Sequence, residues 1–208
     1  MNPKRWLMIV LSFLPLLILA CATTQPKMTT DPGTVLPGEQ VTFKGNPLAL
    51  VGAPLSQGNR LPSVPLTDAM TMQDIDLSQQ MGSILLLSIG PSLDTPVCEA
   101  QTHYLGEQGK RLPASIRRIT LSRDTPFAQK RFAQEAKLTD LQYLSDYKEG
   151  AFGRSTGLLI DGLMLLARSV ILVDRQGVVR YIQVVPELTN LPDMEKAFDK
   201  AIELSKES

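Results

Sequence analysis

The chain has 208 residues, 43% of them apolar and 20% charged, and its 21 basic and 21 acidic side chains leave no formal net charge. That length suits one domain with a sizeable core and is short for two, and the lack of a basic surplus argues against a nucleic-acid partner. Two cysteines and one histidine exclude a Cys-x-x-Cys redox pair and most metal-ligand sets, so neither a metal nor a cofactor is expected.

Lys4 and Arg5 precede an apolar run from Trp6 to Leu19 that is short for a membrane span, and Ala20 is a small residue at a cleavage point. Residues 1–20 therefore read as a signal peptide. Ile18-Leu19-Ala20-Cys21 resembles a bacterial lipobox, which implies lipidation of Cys21 and a membrane partner through the lipid anchor. A plain secretory signal with a coincidental cysteine, and an uncleaved anchor, are the other readings. Ala22 carries no charge that suggests retention in the inner membrane, so the expected location is the cell envelope, facing the periplasm from the outer membrane. Residues 21–40, rich in Thr, Pro, Gly and Lys without periodicity, read as a flexible tether. Residues 41–208 form the predicted domain.

Val41 to Phe43 and Leu48 to Val51 are predicted strands of a hairpin about Gly45-Asn46-Pro47. A Gly- and Pro-rich stretch from Gly52 to Pro65 leads to a short strand pair over Leu66 to Asp76 and a helical turn over Leu77 to Met81. Ser83 to Ile89 is a continuous apolar run suited to the centre of a sheet covered on both faces. A helix follows, running to about Gly109, then a second central strand from Ile116 to Ser122. Asp124 or Thr125 caps the next helix, which ends near Glu135. Leu141 to Ser145 is a short strand and Ala151 to Ser155 a helical turn. Arg168 to Asp174 is a third central strand, turned by Arg175-Gln176-Gly177 into an antiparallel partner over Val178 to Val185. Pro192 or Asp193 opens a terminal helix whose Met194, Ala197, Phe198, Ala201, Ile202 and Leu204 recur at helical spacing. The alternation predicts an α/β fold, a mixed central sheet flanked by helices with an N-terminal β-hairpin.

The loop after the first central strand, Pro91-Ser92-Leu93-Asp94-Thr95-Pro96-Val97-Cys98, carries the chemistry. Thr95 is a favourable N-cap, Pro96 suits the first helical position, and Glu99 adds acidic bias to the first turn. Cys98 falls where unpaired N–H groups and the positive end of the helix dipole favour an anion, one of the settings that activates a thiol. The Thr95 hydroxyl is a candidate donor to the sulfur or to an oxygen beside it.

Pro91-x-x-x-Thr95-x-x-Cys98 resembles the peroxidatic motif of peroxiredoxins, and the full octapeptide is similar to that of the thiol peroxidase branch. Asp124-Thr-Pro-Phe-Ala-Gln-Lys-Arg-Phe132, the arginine-bearing segment from Gly157-Leu-Leu-Ile through Leu166-Ala-Arg168 to Asp174, and Val41-Thr-Phe-Lys-Gly-Asn-Pro47 extend the match across the domain. The resemblance implies a thioredoxin-like fold, Cys98 as peroxidatic nucleophile, Arg168 against its sulfur, Pro91 as its shield from solvent, a hydroperoxide substrate and a homodimer. In that branch a resolving cysteine follows the Arg-Phe pair, whereas this chain reads Arg131-Phe132-Ala133. The expectation is a one-cysteine cycle with an external thiol reductant, thioredoxin-like or small.

Plain structural readings stand beside these: Cys98 as a buried apolar residue, Arg168 as a salt-bridging arginine, Thr95 as a cap alone. His103, five residues after Cys98, does not share its helix face and reads as a surface residue, which leaves a Cys-His acyl hydrolase poorly supported. The rival function is a catalytically impaired relative kept as a peroxide sensor or an envelope binding or assembly protein.

Overall fold

The computed structural model describes residues 28–80 and 82–207. The signal peptide over 1–20, Cys21 and Met81 lie outside the described residues.

In chain order the strands begin with β1 (Thr30–Asp31), β2 (Gln40–Phe43), β3 (Asn46–Val51), β4 (Pro65–Asp68), β5 (Asp74–Asp76) and β6 (Ile84–Ile89). Then come α1 (Pro96–Glu107), β7 (Ile116–Ser122), α2 (Pro126–Glu135), β8 (Gln142–Ser145), α3 (Ala151–Thr156) and β9 (Leu159–Ile160). The chain closes with β10 (Ser169–Val173), β11 (Val179–Val184), β12 (Leu191–Pro192) and α4 (Met194–Lys206).

Seven strands make the central sheet in the order β11-β10-β6-β7-β8-β4-β5. β6, β7 and β8 run parallel, joined through α1 and α2, while β10 pairs antiparallel with β6. Every residue of β6 and β10 is buried, because the sheet is covered on both faces. Ile84, Leu86, Val170 and Leu172 face Leu105 of α1, Ala133 of α2 and Phe198 of α4. Leu85, Leu87, Ile171 and Val173 face the other way, against Phe152 of α3 and the small sheet β2-β3-β9. The expected mixed sheet between helices, with its N-terminal hairpin, is therefore the architecture found.

Differences fall where local signals are weak. The hairpin turn is Lys44-Gly45, since Phe43 pairs with Asn46. Both turn residues have positive φ, the geometry a two-residue turn between twisted strands requires. α1 ends at Glu107 and continues to Arg111 as a tighter turn. β10 begins at Ser169, one residue past Arg168.

The largest correction concerns the tether. Residues 28–39, expected to belong to it, lie packed on the domain: β1 pairs parallel with β12, and Val35 N donates to Val184 O at 3.0 Å. The buried Gln183 side chain donates to the carbonyls of Asp31 and Gly33 at 2.7 and 2.9 Å. Pairing of β1 with β12, together with the bonds to Gln183 and Val184 of β11, orders this strap, and composition is blind to those contributions.

Candidate active site

β6 delivers the chain to Gly90, whose N–H donates to Leu121 O of β7 at 3.1 Å and so extends the parallel ladder by one step. The loop beyond is pinned from β7's own exit. Asp124 accepts from Ser92 Oγ and from Leu93 N, both at 2.7 Å, and from Ser122 Oγ at 2.8 Å. Asp124 was one of two candidates to cap α2, and Thr125 does that instead, accepting from Ala128 N at 3.3 Å. Pro91 is half-buried at the head of this loop.

Thr95 takes the extended backbone of an N-cap and Pro96 follows as the first helical residue, as expected. The Thr95 side chain differs from expectation. It makes no cap bond, and its hydroxyl donates to Ser92 O at 2.9 Å, so its one proton is directed into the loop. The helix ladder opens with Glu99 N donating to Thr95 O, which leaves the N–H groups of Val97 and Cys98 without intrahelical partners. Cys98 itself is 2% exposed.

Arg168 lies just before β10 and is also 2% exposed. Nε donates to Leu188 O at 3.0 Å and Nη1 to Gln101 Oε1 at 2.6 Å. Both acceptors are neutral, and no carboxylate among the described residues pairs with this guanidinium, which excludes the salt-bridging reading. Buried charges are normally matched by an opposite one. The sulfur is the group at hand: a Cβ on Gly90 would stand 2.9 Å from Cys98 Sγ and 3.9 Å from Arg168 Nη1, so a glycine is what lets them share this space.

Gln101, one turn after Cys98, completes the network. It is 2% exposed, and its Nε2 donates to Ser88 Oγ at 2.8 Å while its Oε1 receives Arg168. Sequence reasoning missed Gln101 and Gly90, although a glutamine on the same face as Cys98 at helical spacing, with a serine interrupting an apolar strand, was a usable signal. His103 lies outside this network, half-exposed and bonded through Nδ1 to Glu107 Oε1 at 2.9 Å. Ala133 lies on the core-facing side of α2 and is fully buried.

A groove of about 510 Å³ runs between α1 and α2 beside the loop, lined by Leu93, Thr95, Pro96, Glu99, His103 and Phe132 among others. A cleft of similar size around Arg117, Arg118 and Asp140 lies at the opposite end of β7 and has no part in this site. The arrangement joins a buried thiol at a helix start to an unneutralised guanidinium, which is the equipment for attack by an anionic sulfur on an electrophile whose leaving atom gains negative charge.

A family profile described as Redoxin matches residues 56–201. The chain is 38% identical over 161 residues to a thiol peroxidase of Halalkalibacterium halodurans, covering 77% of this chain and 96% of that one. It is 36% identical over 167 residues to a thiol peroxidase of Bacillus subtilis, covering 80% and 99%. Among solved structures, a peroxiredoxin-like protein from Aquifex aeolicus superposes with a TM-score of 0.75 at 33% identity, over 80% of this chain and 97% of that one.

Proposed function

The chain belongs to the redoxin family, among its thiol peroxidases, with the thioredoxin-like fold of that family, and from that membership we propose that this oxidoreductase reduces hydroperoxides through Cys98 in a one-cysteine cycle. The observation that carries the reading is the buried Arg168 guanidinium, without a carboxylate, sharing the space beside Gly90 with the Cys98 sulfur.

The Cys98 thiolate attacks one peroxide oxygen. The S–O bond forms as the O–O bond breaks, and the departing oxygen takes the electron pair and a solvent proton to leave as water or an alcohol. Cys98 is left as a sulfenic acid. Arg168 and the free N–H groups at the start of α1 meet the charge growing on the departing oxygen. Thr95, its proton committed to Ser92 O, serves as acceptor for the hydroperoxide O–H. Pro91 limits water at the loop.

An external thiol then condenses with the sulfenic acid, releasing water and forming a mixed disulfide. A second thiol displaces Cys98 and leaves with the first as a disulfide. Ala133 supports this route, because the position that carries the resolving cysteine in the resembling branch holds no sulfur. The same fact favours a second reading, a peroxide sensor or envelope assembly protein whose oxidised Cys98 persists.

The reading extends to location. Residues 1–20 are removed, Cys21 is lipidated, and the domain faces the periplasm from the outer membrane. Seven peptide steps separate Cys21 from Met28, where the packed strap begins, a reach of at most about 25 Å. The proposed homodimer has exposed apolar side chains at its disposal, Phe127 and Leu163 among them.

Hydroperoxide consumption by the intact protein with a thiol donor tests the cycle. Turnover that vanishes in Cys98→Ser, with a dimedone-reactive Cys98 after one equivalent of oxidant, is the expected result. Stoichiometric oxidation without turnover favours the sensor, and a Cys98 that ignores oxidant overturns both. Lipid mass on Cys21 in envelope fractions tests the anchor, and sedimentation tests the dimer.

A further inference from the structure

The loop Val185 to Thr189 is fastened to Arg168 at two points. Val185 N donates to the Arg168 backbone carbonyl at 2.9 Å, and Leu188 O receives Arg168 Nε at 3.0 Å. Between them stands Glu187, a residue that the chemistry above does not use. Its carboxylate accepts five hydrogen bonds: from Lys44 N and Gly45 N at 3.0 Å, Thr42 Oγ1 at 2.8 Å, Thr189 N at 3.0 Å and Thr189 Oγ1 at 2.8 Å. Two of these donors are the turn residues of the β2–β3 hairpin, more than 140 positions away in the chain.

The hairpin grips the same loop through its backbone. Thr42 N donates to Pro186 O at 2.7 Å, and Leu188 N donates to Thr42 O at 2.8 Å. Lys44 has a left-handed backbone at φ 51°, a conformation that is strained for a non-glycine residue. That turn aims its N–H groups at Glu187. Burial pushes the carboxyl up, but the N–H groups of Gly45 and Lys44 and the Thr189 contacts outweigh it and hold Glu187 at about 2, ionised throughout the working range.

We propose that Glu187 is a positioning residue for Arg168: by locking the hairpin turn to the loop it fixes the Leu188 carbonyl, and that carbonyl aims the guanidinium at Cys98. Arg168 has only two acceptors in the described structure, Leu188 O and Gln101 Oε1. Loss of direction in one of them turns the fork about the other. A displacement on the order of 1 Å in a group that stabilises a transition state costs roughly 10²-fold in rate, and a loop that keeps its backbone bonds to Thr42 shifts and loses less than that. This inference rests on the proposed role of Arg168 in the Cys98 reaction.

The test compares Glu187→Ala and Glu187→Gln with the unaltered protein, in the native background and with Arg168→Ala. The readouts are the second-order rate of Cys98 oxidation by hydrogen peroxide and the pH profile of Cys98 alkylation. Glu187→Ala is expected to slow oxidation about ten-fold and to move the alkylation profile to higher pH, with Glu187→Gln between the two. With Arg168→Ala already present, adding Glu187→Ala is expected to change neither readout by more than about two-fold, since the residue acts through the arginine. An unchanged rate and profile in folded Glu187→Ala overturns the inference, and so does an equal loss in both backgrounds, which marks a purely structural role. Where Glu187→Ala fails to fold, Glu187→Gln and the paired Thr42→Val, Thr189→Val variant carry the same comparison. If Cys98 of the unaltered protein ignores peroxide, the peroxidase reading fails and the alkylation profile alone decides the role of Glu187.

Discussion

Ser92 and Asp124, 32 positions apart in the chain, meet at 2.7 Å across the carboxyl ends of the neighbouring parallel strands β6 and β7. The same carboxylate holds Leu93 N and Ser122 Oγ, so one side chain sets the path of the loop that leads into Cys98. Asp124→Ala removes all three bonds and leaves the Leu93 N–H without its partner. Stopped-flow oxidation of Cys98 is expected to slow by about 10- to 100-fold, with stability reduced by about 1–3 kcal/mol in urea. Asp124→Asn, which keeps one acceptor oxygen, is expected to fall between. Equal oxidation rates in all three proteins would show that the loop holds its course without this anchor.

Gln101 bridges Ser88 and Arg168 inside the core, and both of these contacts are buried. Gln101→Leu keeps the volume and strands the guanidinium on the side facing α1. An unmatched donor on a buried charge costs at least about 1–3 kcal/mol. Urea unfolding is expected to show that loss, and peroxide oxidation of Cys98 to slow about ten-fold or more. A Gln101→Leu protein as stable and as fast as its parent would mean that Leu188 O alone holds the arginine.

The parts of this arrangement that rest on local signals were legible in the chain. Pro96, Thr95 and Glu99 mark a helix start within five residues, so the position of Cys98 at that start follows from neighbours. Arg168 stands out as a charge at the head of an apolar run. Gln101, Asp124 and Glu187 do not stand out, because each has a deciding partner far along the chain: Ser88 lies 13 positions from Gln101, Leu93 31 from Asp124 and Thr42 145 from Glu187. Asp124 beside Thr125 offers two equal caps to a sequence reading, and only the loop of the neighbouring strand decides between them. β1, β9 and β12 are two-residue strands with no period to detect, and the strap over 28–39 is held by pairing with β12 and by bonds to β11, partners that no local pattern announces. The direction of the Thr95 hydroxyl is likewise a property of the loop geometry.

Acid should reveal the Glu187 clamp. Its folded value of about 2 lies below the ordinary 4.5, so its stabilisation is complete above 4.5 and is lost as pH falls from there toward 2. Glu187→Gln cannot lose that contribution by protonation. The stability gap between parent and Glu187→Gln, measured by urea unfolding, is therefore expected to be wider at pH 6 than at pH 3. A gap that stays constant or widens on acidification would mean that the carboxylate is not held by its five donors.

Gly90 tests how closely the sulfur and the arginine depend on one empty space. Its backbone does not need glycine's left-handed freedom, since no positive φ occurs there, so alanine meets no strain from the chain itself. The added Cβ would stand 2.9 Å from Cys98 Sγ, inside normal contact, and the sulfur must move. Overpacking of this kind costs about 1–3 kcal/mol, while displacement of a reacting atom costs on the order of 10²-fold in rate. Gly90→Ala is thus expected to fold, to lose only a few degrees of thermal stability, and to oxidise at Cys98 about 10²-fold more slowly. Oxidation at the parental rate would show that Sγ reacts from another position than the one it shares with Arg168, and the proposed part of the guanidinium in the reaction would fall with it.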